Sequence, residues 1–163
     1  MFITNDQVAT ASDDRSIIIW NVKPDGMAIK TIKAHTNKIY SLAVSPNATK
    51  LTSGGYDNEI IVYDVASFDV KCRAKCSGPV RSLCYYDSST ILAGIDNSEM
   101  IAIDDRTGYT KMIYEGVYTW PSITIKGRHS RDIVSYVFYK DENVSRHLAC
   151  YSRDMEYLYL PPS

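Results

Sequence analysis

The sequence predicts an all-β fold made of repeated four-stranded antiparallel sheets. Apolar residues alternate along short stretches such as 39–44 and 61–65, which is the period of a strand with one buried face. Pro, Asn and Gly residues between these stretches favour turns. No long stretch has the helical period, and 13 tyrosines with many Ile and Val residues also favour strands.

Residues 35–65 contain the most complete unit of the repeat. His35 precedes a predicted strand, and a Ser-Pro-Asn turn leads into a second strand that ends at Gly54-Gly55. Asp57 follows in the next turn, and the segment IIVYDV forms the third strand. Every part of this unit is therefore a predicted strand or a turn.

The second half of this unit recurs along the chain. Residues 9–22 align with 52–65, residues 92–105 align after one inserted residue, and residues 148–160 form a weaker copy. In this alignment Asp14, Asp57 and Asp96 lie 43 and 39 residues apart. This spacing matches the roughly 40 to 45 residues of one four-stranded β-propeller blade.

The repeats predict a single domain of about three to four blades. We expect a partial blade over 7–33, blades over 38–75 and 79–115, and a divergent blade over 117–163. The first blade begins at its second strand, so we expect an incomplete ring with open edges. Three explanations stay open: a fragment of a longer protein, completion by a partner chain, or a self-closing four-bladed ring.

The last third of the chain allows two alignments. In one, residues 119–125, 132–139, 148–152 and 155–160 are the four strands of the divergent blade. In the other, His129 and Asp154 take the places of His35 and Asp57, and the chain stops inside a blade. The first alignment preserves the number of strands, and the second preserves the residue types.

These repeats resemble those of the Trp-Asp (WD) repeat β-propeller family. Trp20-Asn21, Tyr63-Asp64 and Ile103-Asp104 stand at the dipeptide that names the family. The resemblance implies a buried hydrogen-bonded chain that joins an Asp, a His, a hydroxyl and an aromatic residue. Its expected members are His35, Ser53, Asp57 and Tyr63 in the second blade, Thr10, Asp14 and Trp20 in the first, and Asp96 in the third.

The third blade departs from the family pattern. Gly78-Pro79 stands where a Gly-His is expected, and Leu92 takes the hydroxyl position. We therefore expect packing to replace hydrogen bonding in this blade. In the second blade, by contrast, a buried carboxylate needs donors, so Asp57 is expected to bind His35 and neighbouring backbone amides.

A Ser, a His and an Asp in one small region also suggest an enzyme. Acyl transfer needs an exposed nucleophile, an oxyanion hole and a base oriented by an acid. The resemblance instead buries these three residues between blades. We therefore predict no catalytic residues, no cofactor and no small-molecule substrate.

The predicted function is a non-catalytic scaffold for protein partners, within a larger complex. Surface loops on a rigid propeller carry the binding residues, and the candidates near one face are Lys38, Tyr40, Tyr56, Asn58 and Arg81. An alternative is a substrate-recognition subunit of a cullin-type ubiquitin ligase. Residues Ile103 to Arg106 resemble the Trp-Asp-x-Arg box of such receptors, although Ile replaces Trp and residues 63–66 do not repeat the box.

Composition and motifs exclude several other classes. The net charge of −1 and the pI near 6.3 argue against a broad nucleic-acid surface. No apolar run reaches the length of a membrane span, and no secretory signal is recognisable, so we expect an intracellular protein. Cys72, Cys76, Cys84 and Cys150 lack the spacing of a zinc site and are expected to be free thiols.

Overall fold

The computed structural model describes residues 1–23, 26–97 and 99–113 in full, and the backbone of residues 114–115 and of four later strands. The strands of the first two sheets are β1 (Gln7–Ala11), β2 (Ile17–Asn21), β3 (Met27–Ile32), β4 (Ile39–Val44), β5 (Lys50–Gly55), β6 (Glu59–Asp64) and β7 (Val70–Lys75). Those of the next two are β8 (Val80–Tyr85), β9 (Thr90–Ile95), β10 (Glu99–Asp104), β11 (Thr110–Glu115), β12 (Trp120–Thr124), β13 (Val134–Tyr139), β14 (His147–Tyr151) and β15 (Tyr157–Tyr159).

These strands form four antiparallel sheets whose members follow chain order. The first sheet has the order β1-β2-β3, and the next three are β4-β5-β6-β7, β8-β9-β10-β11 and β12-β13-β14-β15. The first strand of each sheet packs against the next sheet, with β1 beside β4, β4 beside β8, and β8 beside β12. This arrangement confirms the predicted fold class, an all-β structure of propeller-type sheets.

The last sheet agrees with one of the two alignments of the C-terminal third. Its four strands lie within or close to the four stretches that preserve the strand count. His129 and Asp154, on which the other alignment depends, lie outside the described residues.

Apolar faces between neighbouring sheets form two core clusters. The cluster between the first and second sheets includes Ile17, Ile19, Leu51, Ile61 and Tyr63, all with no exposed surface. The cluster between the second and third sheets is built mainly from Ile, Val and Ala residues: Ala43, Ile60, Val62, Ala74, Val80, Ala93, Ile95 and Ile103. Alternation along each strand thus buries both faces of the second sheet.

One glycine is required by this close packing. A Cβ atom on Gly54 would lie 2.5 Å from Cγ1 of Val80, in the neighbouring sheet. No real Cβ atom approaches another carbon so closely, so the second and third sheets meet at this distance because residue 54 has no side chain.

The first sheet contains three strands, with a short additional pairing. Phe2 forms an isolated bridge to Val8, and the Met1 ammonium donates to the Ala9 carbonyl at 2.9 Å. Residues 1–3 thus lie along β1, and Ile3 is buried in the first core cluster. Among the described residues, no helix is long and apolar enough to cross a membrane.

Candidate functional site

The second sheet contains a continuous chain of four hydrogen-bonded side chains. Nδ1 of His35 lies 2.9 Å from both carboxylate oxygens of Asp57, and Nε2 lies 2.6 Å from Oγ of Ser53. Oγ of Ser53 lies 3.1 Å from the Tyr63 hydroxyl. The loop before β4, the strands β5 and β6, and the turn between them therefore meet in one network.

The chemistry of the partners assigns the donors and acceptors of this network. Because a carboxylate only accepts hydrogen bonds, Nδ1–H of His35 donates to Asp57, and in the neutral ring Nε2 accepts from Ser53. Burial raises the pKa of Asp57, but hydrogen bonds from His35 and the amides of Thr36 and Glu59 outweigh it, so the net pKa is lowered. Burial also raises the pKa of Tyr63 to about 12.

In the first sheet the corresponding residues form two separate groups. Nε1–H of Trp20 donates to Oγ1 of Thr10 at 2.8 Å. The Asp14 carboxylate instead accepts from the hydroxyl and amide of Ser16, at 2.6 and 2.9 Å, and these bonds lower its pKa. The structure therefore does not join Asp14 to Thr10 and Trp20.

The prediction for Asp96 is wrong, because strand register places another residue at the Asp57 position. Gly54 pairs with Ile60 in the second sheet, and Gly94 pairs with Met100 in the third. The two hairpins have the same length, so Asn97 corresponds to Asp57. The third sheet is instead one residue shorter than the second sheet between its first and second strands.

The same register corrects the other positions of the third sheet. Ala93, rather than Leu92, stands at the hydroxyl position, Ile103 stands at the aromatic position, and Cys76 stands at the His35 position. Gly78-Pro79 corresponds to residues 37 and 38 of the second sheet.

Packing replaces the polar network in the third sheet. Ala93 and Ile103 are buried, and Cys76 packs against the same core cluster. Burial raises the pKa of the Cys76 thiol to about 12. Asn97 keeps two polar contacts, since its amide nitrogen donates to Oγ of Ser77 at 3.0 Å and its Oδ1 accepts from the Glu99 amide at 3.3 Å.

Asp96 belongs to a different structure, a row of four side chains in which two exposed tyrosines adjoin a partly buried ion pair. The rings of Tyr56 and Tyr40 meet edge to face with centroids 6.0 Å apart. The guanidinium of Arg81 lies 4.5 Å from the centroid of the Tyr40 ring, and its Nη2 lies 2.6 Å from Oδ2 of Asp96. We call Tyr56, Tyr40, Arg81 and Asp96 the tyrosine row.

The tyrosine row connects equivalent positions of two neighbouring sheets. By strand register Tyr40 corresponds to Arg81, and Tyr56 corresponds to Asp96. The row lies at the end of the sheets that carries the β5–β6 and β9–β10 turns, which we call the upper end. Tyr56 is 46% exposed and Tyr40 is 38% exposed.

Lys38 and Asn58 flank the tyrosine row. Nζ of Lys38 lies 2.7 Å from Asp13, and the Lys38 carbonyl accepts from the Tyr56 amide. Asn58 has a φ of 62° in the β5–β6 turn. The structure thus brings together five of the six candidate partner-binding residues at the upper end.

Arg106 lies at the opposite, lower end, in the β10–β11 turn. Its side chain is 74% exposed and its guanidinium is 3.9 Å from Asp104. The Asp104 carboxylate accepts from the amides of Arg106 and Thr107, which fixes the turn. Arg106 is therefore separated from the other candidates by the length of the strands.

Sequence analysis did not identify a buried ion pair at this lower end. The Lys50 ammonium lies 2.6 Å from Asp105, whose side chain has no exposed surface. Beside it, the hydroxyls of Thr52 and Tyr85 lie 2.8 Å apart. These contacts join the second and third sheets, and no sequence pattern relates residues 55 positions apart.

The described residues contain no group of three or more His, Cys, Asp or Glu side chains that could hold a metal ion. Cys72, Cys76 and Cys84 are free thiols, as predicted. The Cys150 side chain lies outside the described residues.

Comparison with known proteins identifies the repeat. Residues 26–64 match the family described as WD domain, G-beta repeat. The chain therefore contains a WD repeat. Its structure superimposes with a TM-score of 0.73 on the Cps50 (Swd1) β-propeller domain of Myceliophteria thermophila, at 18% identity. The superposition covers 94% of this chain and 51% of that propeller, so the shared feature is the fold.

Curated relatives share short segments with this WD-repeat chain. The mouse "WD repeat and SOCS box-containing protein 1" is 31% identical over 61 residues, 37% of this chain and 14% of that protein. The Arabidopsis thaliana "E3 ubiquitin-protein ligase COP1" is 34% identical over 38% of this chain and 9% of its own length. The Talaromyces marneffei "Nuclear distribution protein nudF 1" is 35% identical over 47% of this chain and 17% of its own length.

Proposed function

We propose that this WD-repeat chain is a non-catalytic scaffold that binds a protein partner at the tyrosine row, as part of a larger complex. The observation that carries this proposal is the row itself. Tyrosine and arginine are the residue types most enriched at binding hot spots. Here two exposed tyrosines lie beside the partly buried Arg81.

The contacts within the row favour binding because they hold it in one conformation. Asp96 holds the Arg81 guanidinium, which lies over Tyr40, and Tyr40 in turn meets Tyr56. Side chains ordered before binding lose less conformational entropy when a partner arrives. A partner side chain placed on these rings would therefore gain more net affinity than on mobile side chains.

The buried network supports the non-catalytic part of the proposal. The side chain of His35 has no exposed surface, and Ser53 is also fully buried. A substrate would have no access to either group without opening the interface between sheets. The resemblance of these residues to a catalytic triad is thus better explained by structural hydrogen bonding.

Affinity purification of the tagged chain from its native cells tests this function. We expect at least one protein partner in a near one-to-one ratio, quantified by mass spectrometry. A stoichiometric partner that itself carries WD repeats would further support completion of the ring by another chain. Recovery of the chain alone, soluble and monomeric, would contradict the scaffold function.

A second candidate function is substrate recognition for a ubiquitin ligase. Two observations favour it: a relative named as an E3 ubiquitin-protein ligase, and the exposed Arg106 after the Asp104 turn. In this case a cullin adaptor would contact the lower end. Co-purification of an adaptor with the wild type, abolished in Arg106→Ala but kept in Lys111→Ala, would support this function. Equal recovery with both variants would exclude the Arg106 contact.

A further inference from the structure

We propose that the first sheet binds a second copy of this chain, so that two copies close one propeller ring. The binding surface is the side of the first sheet that points away from the second sheet, which we call the outward face. Its members are Phe2, Val8, Thr10, Ile18 and Trp20. The tyrosine row lies on the second and third sheets, so this inference does not depend on the proposed function.

Strand pairing places these five side chains on one side of the first sheet. Partners directly opposite each other on neighbouring strands project to the same side. The pairs are Phe2 with Val8, Val8 with Trp20, and Thr10 with Ile18. The residues between them alternate to the other side, which is buried against the second sheet. None of the five is charged, so the outward face is a mainly apolar surface.

The equivalent sides of the next two sheets are covered. By strand register Ile18 corresponds to Ile61, and Trp20 corresponds to Tyr63. Ile61 and Tyr63 have no exposed surface, because they are packed in the core cluster between the first and second sheets. The third sheet is buried against the second in the same way. The chain thus shows twice what covers such a face, namely the preceding sheet of the same repeat.

The outward face can be buried at little cost. Nε1–H of Trp20 donates to Oγ1 of Thr10 at 2.8 Å, and the Thr10 hydroxyl donates to the Ile18 carbonyl at 3.4 Å. Covering the face would therefore leave neither side chain with an unsatisfied donor. Phe2 is 68% exposed, and Ile18 and Trp20 are partly exposed. Removing this apolar area from water would favour association.

The curvature of the chain favours a second copy as the occupant. The superposition on the Cps50 (Swd1) propeller covers 94% of this chain and 51% of that propeller, so the four sheets follow about half of a ring. A half ring does not bring its own fourth sheet back to its first. Two copies together carry eight sheets, within the roughly 4 to 8 blades common in propellers.

The same rotation brings the matching sheet to the outward face. When a half turn relates two half rings, head-to-tail contacts close after two copies. The fourth sheet of each copy then precedes the first sheet of the other. It has the same strand order as the second sheet, which covers the third within the chain. Each copy therefore supplies the sheet that the other copy needs.

Sedimentation velocity of the purified full chain tests the dimer. We expect a shift from the monomer mass of 18.4 kDa to twice that mass as the concentration rises from micromolar to submillimolar. A monomer at every concentration would overturn the proposal. Growth into larger assemblies would also overturn it, because the contacts would then fail to close after two copies.

Charged substitutions locate the contact. Ile18→Glu would bury a carboxylate without a partner and should raise the dimer Kd by roughly a hundredfold or more. Phe2→Glu tests the same face at a position that is 68% exposed, where folding is not at risk. Met112→Glu, at a 51% exposed residue of β11, is the matched control and should dimerise like the wild type. Circular dichroism checks that each variant is folded. Unchanged dimers in both outward-face variants would contradict the proposal.

Tryptophan fluorescence reports on the outward face itself. The chain has two tryptophans, so Trp120→Phe leaves Trp20 as the single emitter. Its emission should move to shorter wavelength in step with the fraction of dimer, because a second copy covers the ring. Dimers with unchanged Trp20 emission would place the contact elsewhere. A chain that stays monomeric, and whose Trp20 emission shifts only when a different WD-repeat protein is added, would assign the face to that protein and overturn the second copy.

Discussion

His35 holds the carboxylate of Asp57 through a single ring nitrogen, since Nδ1 lies 2.9 Å from both Oδ1 and Oδ2. The opposite ring nitrogen contacts Ser53, so one imidazole joins a turn to the strand beside it. Because all these groups are buried, the pair contributes to the fold of the second sheet.

His35→Ala should therefore destabilise the protein. The substitution removes the donor to Asp57 and leaves Ser53 with one partner fewer, which costs about 1 to 3 kcal/mol for each buried group left unsatisfied. Urea unfolding followed by circular dichroism measures the loss. Thr36→Ala, an exposed neighbour with only a 3.5 Å hydroxyl contact to Asp57, is the control and should change stability little.

Acid should weaken the same network. The pKa of Asp57 is lowered, so its stabilisation is fully present above the unfolded value of about 3.9 and is lost as the pH falls through the folded value. Urea unfolding between about pH 6 and pH 2.5 checks this. Asp57→Asn should be less stable near neutral pH and should show a shallower acid dependence; an unchanged dependence would contradict the assignment.

Breaking the Lys50–Asp105 ion pair at the lower end should strongly lower the stability of the protein. Asp105→Ala leaves the ammonium of Lys50 largely buried without a partner, at a cost of roughly 3 kcal/mol, the low end for buried pairs because Lys50 is 25% exposed. The double variant Lys50→Met with Asp105→Leu should recover much of the stability lost in Asp105→Ala, as measured by urea unfolding. Asp69→Ala, an exposed carboxylate, provides the control. Additive losses in the double variant would argue against coupling.

Gly54→Ala should separate the second and third sheets. Its Cβ atom would lie 2.5 Å from Val80 Cγ1, so the free energy of unfolding of the variant should fall by about 1 to 3 kcal/mol. Val80→Ala removes that methyl group and should partly restore stability in the double variant. Thermal unfolding compares the variants, with Gly78→Ala as a milder case, since its nearest contact would be 3.3 Å from Ile95.

The repeat explains why much of the fold was predictable from sequence. His35, Ser53, Asp57 and Tyr63 keep the family spacing, and the structure joins all four. Asp14 and Trp20 were also aligned correctly, because the first and second hairpins have equal length.

The third sheet shows where sequence alignment failed. Matching identical residues selected Asp96, whereas strand pairing places Asn97 at that position. The error came from inserting one residue to match the two aspartates, although the hairpins of the second and third sheets have equal length. The Lys50–Asp105 pair and the stacking of Arg81 on Tyr40 arise from the approach of two sheets, which no local sequence pattern encodes.

The measurement that tests the central proposal most directly is partner recovery with a row variant against a matched surface variant. The double variant Tyr40→Ala with Tyr56→Ala removes the rings of the tyrosine row, and Tyr109→Ala removes a 71% exposed tyrosine from the lower end. With equal amounts of folded bait, we predict loss of the stoichiometric partner from the row variant and full recovery with Tyr109→Ala. Full recovery with the row variant would show that the partner binds elsewhere.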